Sequence, residues 1–286
     1  MTKLLDREEY IEQAYLFRVY RERLNENLPS QEILRGIREE VLATTKLPLA
    51  LDFLIGEILL TGRLSDAMAL LPHYFTPYQS FIMAKADEDK SRFDQKIALE
   101  VLQRHAEYLA GSPTAPGFFI YQFECVARNR LGYDRGMTAM AVDPFYDADW
   151  REWILKTRLR LGSTDFADLV YFRSQFHVEE ARRRTGQSDY EPAYPVFFGV
   201  PEGRIAKANR GKDPLFLFAA LQRQLGYPSV PRAEPKPPGS VLPPVLEQRL
   251  MRMERRLKLL ESEAKGEFDL SEYFAKPQDF TQDENS

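Results

Sequence analysis

The sequence predicts a mainly α-helical protein. The expected architecture is an irregular multi-helix bundle or α-hairpin array with one small β-hairpin, then a proline-rich linker and a C-terminal coiled-coil helix. Three observations predict it. Apolar residues recur three and four apart through most of the first 225 residues, which puts them on one face of a helix. Residues 228–244 hold seven prolines in seventeen positions, and proline has a fixed φ and no amide hydrogen. Leu246, Leu250, Met253, Leu257 and Leu260 then follow at spacings of four, three, four and three, a heptad seam. The expected layout is a helical body over residues 1–227, a linker over 228–244, a coiled-coil helix over 245–264 and an acidic disordered tail over 265–286.

A first helix is expected over residues 6–28, with Tyr10, Ala14, Phe17, Arg21 and Leu24 on one face and Pro29 as its stop. Ser30 is placed to cap a second, to about residue 45, with Ile33, Leu34, Ile37, Val41 and Leu42 as its stripe. Pro48 opens a third, to about residue 61; it is apolar nearly all round and reads as the central core helix. Gly62 ends it and Ser65 caps the next. Thr76-Pro77 starts a helix to about residue 90, and Phe93-Asp94 leads into another with Ile97, Ala98, Val101, Leu102, His105, Tyr108 and Leu109 inside. Residues 111–117, with two prolines and two glycines, read as a loop and the best internal boundary. Further helices are expected over 118–131, 134–142, from Asp147 or Asp149 to 161, and over 165–185.

Residues 186–211 change character, with proline, aromatic and β-branched residues replacing the helical rhythm. The Pro201-Glu202-Gly203 turn sequence predicts a β-hairpin pairing residues 194–200 with 203–207. Asp213-Pro214 then starts a helix to about residue 225, with Leu215, Phe216, Phe218, Ala219 and Leu225 buried.

The junctions Gly62 to Ala67, Leu131-Gly132-Tyr133-Asp134 and Leu161-Gly162-Ser163-Thr164-Asp165 resemble the turn inside a tetratricopeptide-type repeat, where a glycine is followed five residues on by a small residue. The resemblance implies helical hairpins and covers these junctions alone. Their glycines are 70 and 30 residues apart, against a repeat of about 34, and the repeat's aromatic and proline positions mostly fail. An irregular bundle is therefore the expectation.

Composition narrows the function. Hydrophobic content of 44% and aromatic content of 12% can bury a substantial core. The net charge of −4 falls wholly in residues 265–286, so the rest is neutral and a nucleic-acid-binding role is not expected. The single cysteine, Cys125, allows no intrachain disulfide and suits a reducing compartment. The first residues place charge where a signal peptide needs an apolar run. The longest apolar run, 47–60, is broken by Asp52 and Glu57 and is too short to span a bilayer. A soluble, cytoplasmic protein is expected.

Motifs for phosphate loops, dinucleotide folds, hydrolase elbows and zincins do not occur, and neither a metal nor a cofactor is expected. Arg204, Lys207, Arg210 and Lys212, with Gly211, precede a helix N-terminus and form a candidate anion site, though Asp213 would itself repel an anion. Asp143, Asp147 and Asp149 are spaced for a hard cation but lack a closing glutamate and read better as helix caps. Cys125 lies in a strongly apolar helix and reads as a buried structural thiol; His105 reads as a hydrogen-bonded core residue. Arg182, Arg183 and Arg184, with His177 and the basic seam, read as solvated charge.

The linker reads as a semi-rigid arm, with Pro235-Lys-Pro-Pro238 as a motif that an aromatic groove could take. An isolated helix of about two heptads is marginal in water, so the seam Leu246, Leu250, Met253, Leu257 and Leu260 needs a partner. Phe268, Tyr273, Phe274 and Phe280 among acids suit a tail that folds on a partner. The sequence favours a non-catalytic helical adaptor or scaffold, binding a protein partner or itself through the coiled coil and tail. The rival is an enzyme or a binder of small anionic ligands with a site between the body and residues 186–211.

Overall fold

The structure, a computed structural model, describes residues 4–26, 28–88 and 93–232. Among them it is mainly helical, with no sheet. The helices are α1 (Arg7–Arg23), α2 (Ser30–Glu40), α3 (Leu47–Thr61), α4 (Leu64–Ala69), α5 (Pro77–Ala86), α6 (Gln95–Ala110), α7 (Ala115–Arg128), α8 (Tyr133–Ala141), α9 (Ala148–Arg160), α10 (Phe166–Tyr171), α11 (Gln175–Thr185), α12 (Val200–Ala208) and α13 (Pro214–Leu225). The coiled-coil segment and tail lie outside the described residues.

Several starts follow from side-chain caps. Thr76 accepts from the Gln79 amide while the Gln79 side chain accepts from the Thr76 amide, a reciprocal box that opens α5. Asp94, Thr114, Asp147, Asp165, Ser174 and Asp213 each cap the helix that follows. Substituting Thr76→Ala should cost about 1 kcal/mol. A urea titration of the full chain would measure that cost; no change in its midpoint would mean the cap carries no weight.

The centre of the fold is α7, whose residues from Gly117 to Val126 are all buried. On one side Phe119 and Phe123 meet Trp150 and Trp153 of α9, Phe166 of α10 and Phe218 of α13, with Phe123 and Phe166 stacked at 4.0 Å between ring centres. On the other, Phe118 and Tyr121 meet His105 of α6. The long pair α1 and α6 flanks this centre.

Four expectations are corrected. The helix α3 is not central: Leu49, Phe53, Leu59 and Leu60 are exposed, and its buried side is Leu47, Ala50, Leu51, Leu54 and Ile58. An all-round apolar helix has no polar face to mark which side turns outward. On α13, Leu215 and Phe216 are exposed and Leu217, Phe218 and Leu221 are buried. The helix expected over 165–185 is two, α10 and α11, broken at Ser174, which forms an isolated parallel bridge to Phe198.

The β-hairpin is the largest correction. Residues 200–208 are the helix α12, with Pro201 in its first turn. A proline φ near −65° suits the first turn of a helix as well as the second position of a β-turn. The decisive pattern is Glu202, Gly203 and Ala206, which are buried at helical spacing. Residues 197 and 198 donate to the Arg173 carbonyl, and Phe198 accepts from the Gln175 amide, so this stretch pairs with the α10–α11 break rather than with 203–207.

The start of the proline-rich stretch lies on the body. The Tyr227 hydroxyl donates to Glu124 and contacts the Phe218 carbonyl at 3.0 Å, Arg104 donates to Ser229, and Asn129 donates to the Pro231 carbonyl.

Candidate functional site

Of the four sequence-selected cations, Arg204 and Lys207 share one face of α12, because residues three apart lie together on a helix, and Arg210, in the turn just past the end of α12, joins them by stacking on Tyr171, the ring that Lys207 also approaches. That face carries the buried ring of Tyr171 at the end of α10, the exposed ring of Phe172 just after it, and the partly exposed rings of Phe176 in α11 and Tyr194 in the segment after α11. The Arg204 guanidinium lies 5.8 Å from the Phe176 ring centre. The Lys207 amine lies 5.7 Å from Phe176 and 6.0 Å from Tyr171. Arg210 stacks on Tyr171 at 3.9 Å, with Phe172 5.5 Å away. Arg173 covers the Tyr194 ring at 4.6 Å.

Charge on this face is only partly balanced. Lys207 pairs with Glu180 and Arg210 with Asp168. Lysine donation, then the Tyr171 hydroxyl, holds the Glu180 carboxyl below its ordinary range. Burial, reinforced by the hydrogen bond to Glu180, pushes the Tyr171 phenol up to about 12. Arg204 is exposed and makes no ion pair among the described residues. Lys212 is exposed beside the cap residue Asp213 and does not join the ring-covered group. His177 sits edge-on to Tyr171 and Phe172, with its Nδ1 3.0 Å from the Tyr194 hydroxyl. Burial, then the nearby Arg184, lowers its pKa.

This arrangement differs from an anion cradle at the α13 N-terminus. The Gly211 amide donates to Asp165, and Asp213 accepts from Leu215. The backbone donors there are already engaged. Instead, guanidinium and ammonium groups lie over aromatic faces, where the ring quadrupole attracts them, and a guanidinium over a ring keeps N–H edges for carboxylates. Sequence reading missed the rings Tyr171, Phe176 and Tyr194 and the acids Glu180 and Asp168. The i, i+3 spacing of Arg204 and Lys207 would have shown a shared face had residues 200–208 been read as helical.

A second polar group is sealed in the core. The Gln122 amide nitrogen lies 3.2 Å from His105 Nε2 and donates to Asp143 Oδ2 at 3.2 Å, while Gln122 Oε1 accepts from the Tyr146 hydroxyl at 2.8 Å. Asp143 Oδ1 accepts from the Phe145 amide. Burial lowers the His105 pKa to about 3 and raises that of Asp143 to about 6. Burial likewise pushes the Cys125 thiol to about 12. Of the three spaced aspartates, Asp143 is therefore a core residue, Asp147 caps α9 and Asp149 lies exposed in its first turn. Among the described residues no group of three or more His, Cys, Asp or Glu could hold a metal, and no helix is long and apolar enough to cross a membrane.

No family model, curated protein or solved structure matches the chain. The functional reading therefore rests on its own geometry. The seam residues Leu246, Leu250, Met253, Leu257 and Leu260 fall outside the described residues, as do the Pro235–Pro238 motif and the tail.

Proposed function

We propose that the protein is a non-catalytic helical adaptor of the cytoplasm, which grips an acidic, aromatic-containing segment of a protein partner on the α10–α12 face. The cation-over-ring layer carries this reading. Flat rings give apolar area at little cost in side-chain entropy, and the cations above them attract carboxylates. The existing pairs with Glu180 and Asp168 preorganise Lys207 and Arg210, and Arg204, exposed and without an ion pair among the described residues, is placed to meet a partner's charge. Two of the side chains considered for catalysis, Cys125 and His105, are sealed in the core and uncharged at neutral pH, which also favours a binding role. The seam at residues 246–260 and the acidic tail supply further candidate contacts.

Calorimetric titration of the full chain with a glutamate–tyrosine copolymer tests the reading. Saturable binding is expected, weakening as salt is raised. The double substitution Arg204→Glu/Lys207→Glu should weaken it about tenfold, about 1.4 kcal/mol. Binding untouched by that double substitution would remove the face from the reading. The rival, a small anionic ligand, is favoured by Arg204, which lies over Phe176 and has no ion pair among the described residues. A melting temperature that rises with phosphate or nucleotide, and loses the rise on Arg204→Glu, would replace the adaptor by it.

A further inference from the structure

The rings beneath the cations meet at one titratable side chain, and the inference drawn from it rests on the binding face proposed above. His177 stands nearly perpendicular to Tyr171, with ring centres 4.9 Å apart, and to Phe172, at 5.2 Å. Its Nδ1 lies 3.0 Å from the Tyr194 hydroxyl. Each of these rings has a guanidinium over it or close by. Arg210 lies 3.9 Å from the Tyr171 centre and 5.5 Å from that of Phe172, and Arg173 lies 4.6 Å from that of Tyr194. The imidazole therefore joins the Tyr171–Phe172 pair to Tyr194.

The surrounding charges set its protonation. On its own helix Glu180 draws a proton to the ring and Arg184 opposes one; Arg210, just past α12, opposes one too. Glu180 is already engaged by Lys207 of α12 and by the Tyr171 hydroxyl. Arg173, after α10, brings a further positive charge to the Tyr194 side. Partial burial, then the arginines, keep the free ring neutral. A carboxylate laid across the face would offset those cations and reverse the balance.

Protonation also changes what the ring does to Tyr194. In the neutral ring, Nδ1 can accept from the Tyr194 hydroxyl. A charged ring carries hydrogen on both nitrogens, so Nδ1 can only donate. The Tyr194 oxygen then accepts, and its own hydrogen is released to donate elsewhere. Proton uptake thus offers an acidic ligand a new cation among the rings and a phenol donor.

We propose that His177 is a proton switch in this face: binding of an acidic segment draws a proton onto its imidazole, and mild acid tightens the grip. The sign follows from linkage. A group whose bound form holds its proton more firmly makes affinity grow as pH falls towards the range where the free form titrates.

Calorimetric titration of the full chain with the glutamate–tyrosine copolymer, at about pH 6.5, tests this. Run in PIPES and in imidazole, buffers with different heats of ionisation, it counts the protons taken up. The full chain should take up about 0.3 to 0.7 proton per site more than His177→Gln, which should still bind. Between about pH 7.5 and about pH 5.5, its affinity should rise about threefold more than the variant's. His73 and the copolymer's own carboxylates are common to both titrations and cancel. The wild-type chain alone gives a second measure: the His177 ring-proton resonance should titrate at higher pH with copolymer bound. Equal proton uptake in the two chains overturns the switch and leaves the binding face standing. So does a His177 resonance that titrates at the same pH with and without copolymer. Absence of copolymer binding at every pH removes the binding face, and the switch with it.

Discussion

Gly203→Ala should destabilise the fold by about 3 kcal/mol or more, one of the largest effects of any single methyl group in this chain. An added Cβ would stand 2.1 Å from Ser174 Oγ, 2.6 Å from Ser174 Cβ and 2.7 Å from Phe176 Cβ. Such contacts require something to shift. Ser174 has little freedom to do so: it is fully buried, its hydroxyl donates to the Tyr171 carbonyl at 2.6 Å, and the same oxygen accepts from the His177 amide as the cap of α11. Rotating it away would uncap α11; holding it would force α12 outward. The second route also carries Arg204 and Lys207 off the rings of Phe176 and Tyr171, so partner binding should fall together with stability. The denaturant midpoint of the full chain measures the first effect and copolymer titration the second. Adding Ser174→Gly to Gly203→Ala should recover part of the loss, because the two residues share one contact and their effects are not additive. A loss below about 1 kcal/mol for Gly203→Ala would mean that α12 does not bear on the α11 N-terminus so closely.

The second large effect lies in pH dependence, where two buried groups oppose each other. His105 has a folded pKa of about 3, below its unfolded value of about 6.5. The unfolded chain binds the proton first, so this contribution is present above about pH 6.5 and is lost as pH falls towards 3. Asp143 has a folded pKa of about 6, above its unfolded value of about 3.9. Here the folded chain holds the proton longer, so the contribution is present below about pH 3.9 and is lost as pH rises through 6. Between about pH 4 and 6 the slopes are equal and opposite, about 1.4 kcal/mol per pH unit each, and these two residues together leave stability flat.

Single substitutions should unmask either slope. In Asp143→Asn, stability should climb with pH across this window relative to the parent; in His105→Gln it should fall. The total excursions are about 5 kcal/mol for the histidine and about 3 kcal/mol for the aspartate. The readout is the difference between each variant's denaturation free energy and the parent's from pH 3 to 7. Exposed carboxylates common to all three chains cancel in it. Difference curves that stay level from pH 4 to 6 for both variants would refute the account. Gln122 ties the two groups together, since its amide nitrogen contacts His105 and donates to Asp143. Replacing it with leucine should damage both at once.

Much of this architecture was readable from residue type and spacing. Thr76-Pro77, Asp94, Asp147, Asp165 and Asp213 announced helix starts because a short polar side chain accepts the free amides of a first turn wherever the fold lies. The inner face of α6, from Ala98 through His105 to Leu109, was readable because its other side is polar. Cys125 and His105 were placed in the core by their apolar neighbours, and both are buried. The α3 stripe and the α13 face were not readable. Where both sides of a helix are apolar, composition cannot say which one meets the core, and tertiary contacts decide it. The helix α12 was misread because Pro201-Glu202-Gly203 suits a turn and a helix start equally.

The candidate face shows the same division. Sequence proximity assembled Arg204, Lys207, Arg210 and Lys212 as cations, and three of them share a surface. That they lie over Tyr171, Phe176 and Phe172 follows from Gly203, whose missing side chain lets α12 settle on Ser174 at the head of α11. The sequence by itself determined that the body would be mainly helical and where many of its helices begin, because those properties are local to a turn or two of backbone. Only the tertiary structure decided which apolar faces are spent in the core and which aromatic rings lie beneath the cations. Those contacts join residues far apart in the chain, and burial of the whole surface, rather than the preference of any one segment, selects among them.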